Sequence, residues 1–258
     1  YSQTQTLSYN ANGGSGAPST QSGTAYYNSN GDQKNITSTI PTTPVPTRTG
    51  YTFAAWNTKA DGSGTDYAVG KPYTNSKQND TLYAKWTRNS YKVTYDYATN
   101  GGTSATKTSA TVAYEGAVDL TPTATKSGWT FVGWNTNKDA TTALTSLKMP
   151  ANNITLYAIY KKTLTVNFYS GYNKATNNPQ SVTIWNRATS GSVTTPSADA
   201  YSGWNYLGWV TSTAAASATT VANGKSVSVN VTSGPFNYYA LYSQTQTLSY
   251  NANGGSGA

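Results

Sequence analysis

Cysteine and histidine are both absent from this 258-residue chain, and glutamate occurs once, at Glu115. Without cysteine there is no disulfide framework, and without Cys and His together there is no ordinary site for structural zinc or an iron–sulfur cluster. Without histidine, and with one glutamate, most nucleophilic and acid–base chemistries lack their groups. Charge is scarce as well: 10% of residues are charged, against about a quarter in ordinary soluble domains. The formal net charge of +8 is spread along the chain instead of forming the basic face that nucleic-acid binders present. No run of about 18 apolar residues exists to span a membrane, and no charged-then-apolar signal segment opens the sequence. A secretion signal and an anchor are expected outside this segment.

What the chain has is aromatic and polar. It carries 22 Tyr and 7 Trp, and rings bearing one polar atom suit half-buried strand surfaces. Thr, Ser, Asn and Gly fill the rest, a neutral polar surface of the kind expected outside the cell. Residues Tyr242 to Ala258 repeat Tyr1 to Ala17 letter for letter. That identity sets a period of 241 residues and points to a tandem array of near-identical blocks.

A shorter, diverged repeat runs inside the block. Gly50, Phe53 and Trp56 in Gly-Tyr-Thr-Phe-Ala-Ala-Trp-Asn-Thr align with Gly128, Phe131 and Trp134, and with Gly203, Tyr206 and Trp209. A closing motif follows each copy, anchored by Tyr83 and Trp86, by Tyr157 and Tyr160, and by Tyr239 and Tyr242. Opening strands alternate apolar and polar at Leu7 and Tyr9, at Val93, Tyr95 and Tyr97, and at Leu164, Val166 and Phe168. The first two end in Asn12-Gly13-Gly14 and Asn100-Gly101-Gly102, residues that accept a tight turn. Further strands are expected at Thr24 to Tyr27, Thr111 to Tyr114 and Ser181 to Trp185. The prolines between Ser38 and Arg48 oppose a long helix, and short helical turns are expected at most around Thr141 to Lys148 and Thr213 to Val221.

The fold expected is mainly β, with little helix: three tandem modules at residues 1–87, 88–161 and 162–242, followed at 243–258 by the opening strand of the next block. The connections Thr87 to Ser90, Lys161 to Thr163 and Ser243 to Thr245 are short and contain no Gly-Ser or Pro-rich spacer, which favours end-to-end stacking in a rod. A compact module of about 80 residues would be roughly 30 Å across, giving about 90 to 100 Å per long period.

At Gly50 to Thr58 with Thr81 to Trp86, and at Gly128 to Thr136 with Thr155 to Tyr160, the chain resembles the Listeria-Bacteroides repeat, also known as the internalin B-repeat. The third module matches partially, departing at Asn205, Val210 and the longer gap to Tyr242. The resemblance implies small β-grasp-like modules in tandem on bacterial surface proteins, acting as stalk or spacer and sometimes in adhesion. It implies no catalytic residues, because the shared motifs are structural.

Sharper readings give way to plainer ones. Gly13 to Ala17 misses the last glycine of a nucleophile elbow, and Gly224-Lys225-Ser226 lacks the first glycine of a phosphate-binding loop. Asp61 and Asp66 flank a Gly/Ser turn that could face calcium, but their spacing fails the EF-hand pattern. A Lys–Asn/Asp crosslink would require Lys85, Lys92 or Lys126 to be buried beside Glu115. No cofactor and no metal are expected. The recurring tryptophans read as core anchors, whereas Tyr26, Tyr27, Tyr67, Tyr73 and Trp185 are the aromatics that could face a sugar or other ligand. The function expected is a non-enzymatic extracellular stalk or fibre segment whose partners are adjacent repeats of its own chain. The alternative is a set of adhesin modules that bind a host receptor, a glycan or neighbouring fibres.

Overall fold

The computed structural model describes residues 1–211, 220–232 and 236–256. Strands dominate, and the described residues hold one helical turn, Tyr172–Lys174. The first half contributes β1 (Ser2–Asn10), β2 (Gln21–Tyr27), β3 (Gln33–Lys34), β4 (Thr37–Thr39), β5 (Tyr51–Asn57), β6 (Asp66–Tyr67), β7 (Pro72–Thr74), β8 (Asn79–Arg88) and β9 (Ser90–Asp96). Next come β10 (Ser104–Ala105), β11 (Ser109–Ala113), β12 (Ala124–Thr125), β13 (Thr130–Asn135) and β14 (Ile154–Ser170). The remainder supplies β15 (Thr176–Asn177), β16 (Gln180–Trp185), β17 (Ser190–Thr194), β18 (Asn205–Val210), β19 (Ser226–Asn230) and β20 (Phe236–Ser243).

Two compact units emerge. One takes Tyr1–Tyr95, Lys107–Leu120 and Leu144–Leu156; the other takes Asp96–Thr106, Thr121–Ala143 and Tyr157–Ala258. The first holds a six-stranded sheet in the order β3-β2-β1-β8-β5-β6. Its opening strand β1 pairs antiparallel with β2 and parallel with β8, Thr6 facing Asn79 through Asn10 facing Tyr83. Alternation in β1 puts Leu7 and Tyr9 on one face, where they pack with Ile40, Trp56, Tyr73, Leu82 and Ala84. In the second unit β14 pairs antiparallel with β13 and β16 and parallel with β20, while β20 pairs antiparallel with β18. Val166 and Phe168 from β14 pack with Trp209 and with Val193, Val227 and Val229 of the β17–β19 pair.

Four expectations need correction. Residues 141–148 form no helix, and residues 212–219 of the second expected turn lie outside the described residues. The Lys161 to Thr163 connection is no linker, because β14 runs through it without a break. Tyr97 falls beyond the end of β9. Residues 244–250, identical to the sequence of most of β1, form no strand at the C-terminal end. Strands pair with strands, and those backbone groups have no neighbouring ladder there.

Candidate functional site

Phe53 and Trp56 lie three residues apart, a spacing that would put them on opposite faces of a regular strand. Each copy of the motif resolves this with one irregularity: the ladder shifts register between Phe53 and Ala55, between Phe131 and Gly133, and between Tyr206 and Gly208. The extra residue turns both rings to one side, where they meet edge to face at 5.3 Å, 5.5 Å and 6.2 Å. Trp56, Trp134 and Trp209 are fully buried. The glycine that opens each motif, Gly50, Gly128 or Gly203, has φ of 76°, 71° or 76°, a turn conformation that costs glycine nothing. Asn57 then organises its hairpin: its Oδ1 accepts from the N–H groups of Lys59 and Gly64, and its Nδ2 donates to Gly62, Gly64 and Asp66. Asn135 does the same more sparingly, accepting from Asn137 N–H and donating to Thr142 O.

The Asn-Gly-Gly turn has a second task. Asn12 Nδ2 donates to Ala60 O and Ala84 O at 2.7 and 3.0 Å, and Asn100 Nδ2 donates to Lys138 O and Ala158 O at 2.9 Å each. One side chain thus ties the opening turn to both the hairpin and the closing strand. A Cβ on Gly14 would sit 2.5 Å from Trp86 Cζ2, and one on Gly102 would meet the Tyr160 hydroxyl, so the last glycine makes room for the closing aromatic. The closing tyrosines themselves lie elsewhere. Tyr83, Tyr157 and Tyr239 are half-buried on the opposite face, and Leu82, Ala84, Leu156 and Ala158 fill the core instead. Tyr239 stacks on Tyr169 at 5.6 Å with Lys174 above the ring.

Two joints link successive copies of the motif. At the first, β8 ends at Arg88, β9 starts at Ser90, and Asn89 staples the gap. Its N–H donates to Gly50 O, its carbonyl accepts from Tyr114 N–H, and its Oδ1 accepts from the Thr52 hydroxyl. The Tyr114 ring meets Tyr51 edge on at 5.9 Å, and the Arg48 guanidinium caps the Tyr51 ring at 4.0 Å. At the second joint β14 is continuous and Asn186, buried with φ of 54°, is the staple. Asn186 exchanges hydrogen bonds with Tyr160: the Asn186 N–H donates to Tyr160 O, and Asn186 Oδ1 accepts from the Tyr160 N–H. Its Nδ2 reaches Lys138 O and Ala140 O. Lys126 caps the Trp129 ring at 3.7 Å and donates to Asn100 O and Asn186 O. Burial holds the Lys126 ammonium below the usual lysine range. Arg48-x-Gly50-Tyr51 and Lys126-x-Gly128-Trp129 are therefore the same cation–ring platform, used twice.

The aromatics considered as ligand-facing separate into two groups. Tyr73 is 5% exposed and donates its hydroxyl to Asp80, with Tyr67 edge on against it at 4.9 Å, so both belong to the core. Tyr27 is half-buried and donates to Gln3 Oε1, Trp185 is half-buried beside Asn186, and Tyr26 is 58% exposed. An open cleft of about 910 Å3 adjoins the first joint, with Arg48, Tyr51, Trp86, Tyr114 and Glu115 in its lining. Its signal in sequence is weak because Arg48, Trp86 and Glu115 come from three distant segments. Asp61 accepts from the Ser63 N–H and hydroxyl, and Asp66 pairs with Lys85 at 2.7 Å, which is the turn arrangement. Hydrogen bonds from Ser63 hold the Asp61 carboxyl below the usual carboxylate range, and those from Lys85 and then Asn57 do so for Asp66. Lys92 is exposed, and the amines of Lys85 and Lys126 face a carboxylate and two carbonyls respectively. Among the described residues there is no cluster of three or more His, Cys, Asp or Glu that could hold a metal, and no helix is long and apolar enough to cross a membrane.

Known proteins share this arrangement of motifs. The sequence model of the Listeria-Bacteroides repeat domain matches residues 6–85 and again 91–159. Internalin H of Listeria monocytogenes is 36% identical over 152 residues, covering 56% of this chain and 26% of the relative. A protein described as a Gly-rich membrane protein of Evansella cellulosilytica is 37% identical over 133 residues, covering 48% of this chain and 15% of its own length. The chain thus spans at most about a quarter of these relatives. Matched over more than half of its residues in two tandem segments, the chain belongs to the Listeria-Bacteroides repeat family.

Proposed function

We propose that these repeats serve as a non-enzymatic mechanical spacer outside the cell, holding other parts of their protein away from its surface. The family and the likeness to an internalin support a surface repeat protein. The carrying observation is the direction of the strands. In the first and the last copy the opening and closing strands are hydrogen-bonded neighbours and run parallel, β1 beside β8 and β14 beside β20. Tension applied along such a chain pulls the two strands past each other, so it must break the bonds of the ladder together instead of unzipping them singly. The absence of histidine and cysteine agrees with a role that needs no chemistry.

Replacing the repeats with an unrelated rod of equal length tests this reading. A spacer tolerates the exchange, with cell attachment by the rest of the protein retained. Loss of attachment at constant length favours the second reading, direct adhesion, for which the specific observation is the cleft beside Tyr51, Trp86 and Tyr114. On that reading Tyr51→Ala or Tyr114→Ala abolishes binding on a glycan array that the intact chain scores.

A further inference from the structure

The chain contains one 17-residue sequence twice, and its strand half takes two conformations. Both copies form the same turn. Asn12 and Asn253 have φ of 48° and 45°, the N–H of each donates to the Oδ1 of Asn10 or Asn251, and the Gly14 and Gly255 N–H groups close onto Ala11 O and Ala252 O. The strand before the turn forms only once. Leu7 and Tyr9 are 0% and 9% exposed within β1, whereas Leu248 and Tyr250 are each 74% exposed with no strand around them. The turn is local, and the strand requires partners.

The spacing at each joint tells what those partners are. From the closing aromatic to the first fully buried apolar residue of the next strand there are seven residues at the first joint, Trp86 to Val93, and six at the second, Tyr160 to Val166. Strand side chains alternate with a period of two. An even count lets one strand carry both residues on one face, as β14 does; an odd count needs an extra residue outside the ladder, and Asn89 is that residue. From Tyr242 to Leu248 the count is six.

The two ends also carry matching halves of a joint. Tyr201-x-Gly203-Trp204 is the third platform, with Tyr201 stacked on Trp204 at 5.7 Å where the earlier copies place Arg48 or Lys126. Trp204 of this platform is 39% exposed, and Leu207 after it is 44% exposed. At the opening end the Tyr27 N–H donates to Tyr1 O at 2.8 Å, the bond that Asn186 makes to Tyr160 at the second joint. Tyr1 is the same sequence position as Tyr242, and Tyr26 beside it is exposed.

We propose that the open closing end, Trp204 and Leu207 together with Gln244 to Asn251, docks a second copy of this chain's opening repeat placed after it in series, so that β20 continues unbroken through Tyr250 as β14 does through Phe168. The proposal rests on the spacer reading and specifies its joint. The following copy supplies the equivalents of β2 and β8 on either side of the continued strand, a case of strand addition to an unpaired edge, and sets its Tyr26 and Tyr27 against the Tyr201–Trp204 platform.

A thiol probe tests it, since the chain has no cysteine. Leu248→Cys is placed in the 258-residue chain and, separately, at the central joint of a duplicated chain with the 241-residue period; Leu7→Cys in the single chain reports a buried reference. The single chain is expected to react at the rate of a free thiol. At the central joint the rate is expected to fall by about 100-fold or more, toward that of Leu7→Cys, because reaction then needs local opening. Gln246→Cys reports the same burial from a polar position, Gln5 in β1 being 1% exposed, if the leucine variant does not fold. Free reaction at the central joint with both variants overturns the shared strand, and does so without removing the spacer reading if the duplicated chain is still extended in solution.

Discussion

Trp56, Trp134 and Trp209 fill one position in three copies, yet their indole N–H groups are served differently. Trp134 donates to Pro122 O at 2.6 Å and Trp209 to Pro196 O and Asn223 Oδ1 at 3.0 Å, while Trp56 Nε1 is buried with no acceptor. Replacement by phenylalanine opens a similar volume at each site, but at 134 it also strands a buried carbonyl. Trp134→Phe is therefore expected to destabilise the fold by about 1 to 3 kcal/mol more than Trp56→Phe, as read from urea unfolding; equal losses would contradict the assignment. The buried tyrosines set the alkaline limit. Burial, the largest cause in each case, pushes the phenols of Tyr9, Tyr160 and Tyr206 up to about 12 from an ordinary value of 10.0. A phenol with a raised folded value binds its proton more tightly when folded, so its contribution is fully present below pH 10 and disappears as the pH rises from 10 to 12. Thermal midpoints should hold between pH 8 and about 9.5 and fall steeply above 10; a flat profile up to 12 would be inconsistent with those burials.

At the scale of elements, counting residues explains more than propensity does. A three-residue spacing between aromatic and tryptophan produces a bulge, seven residues across a joint produce a broken strand, and six produce β14. The sequence shows these counts, and it shows the opening strands and Asn-Gly-Gly turns through alternation and turn chemistry. It hides the staples, because Asn186 and Asn89 acquire their roles from partners far along the chain. It also misleads at Tyr83, Tyr157 and Tyr239, where the larger ring suggests the core but alternation assigns it to Leu82 and Leu156. Tyr73 misleads in the other direction, because its polar hydroxyl is satisfied internally by Asp80. The two staples differ in weight. Asn186→Ala removes three buried or half-buried side-chain bonds and leaves alanine in a left-handed conformation, costing about 3 kcal/mol or more. Asn89→Ala loses the exposed bond from Thr52 and keeps both backbone bonds, costing about 0.5 to 1 kcal/mol. Comparable losses on chemical denaturation would show that the continuous joint is no stronger than the broken one.

In the whole molecule the strand half of the repeated sequence forms where a sheet receives it, as β1, and stays open where none does, at residues 244–250. Among the described residues, the ion pairs at the joints are those of Asp139 with Arg187 at 2.7 Å and with its neighbour Lys138 at 2.6 Å, both exposed and of the weakest kind of contact. Salt should consequently have little effect on joint strength. Chains with one, two and four copies of the 241-residue block give the most direct test, by small-angle X-ray scattering. Locked joints predict a maximum dimension that grows in proportion to copy number, by about 90 to 100 Å per block. Growth close to the square root of copy number, as for flexibly linked beads, would contradict the proposal that these repeats act as a spacer with fixed joints.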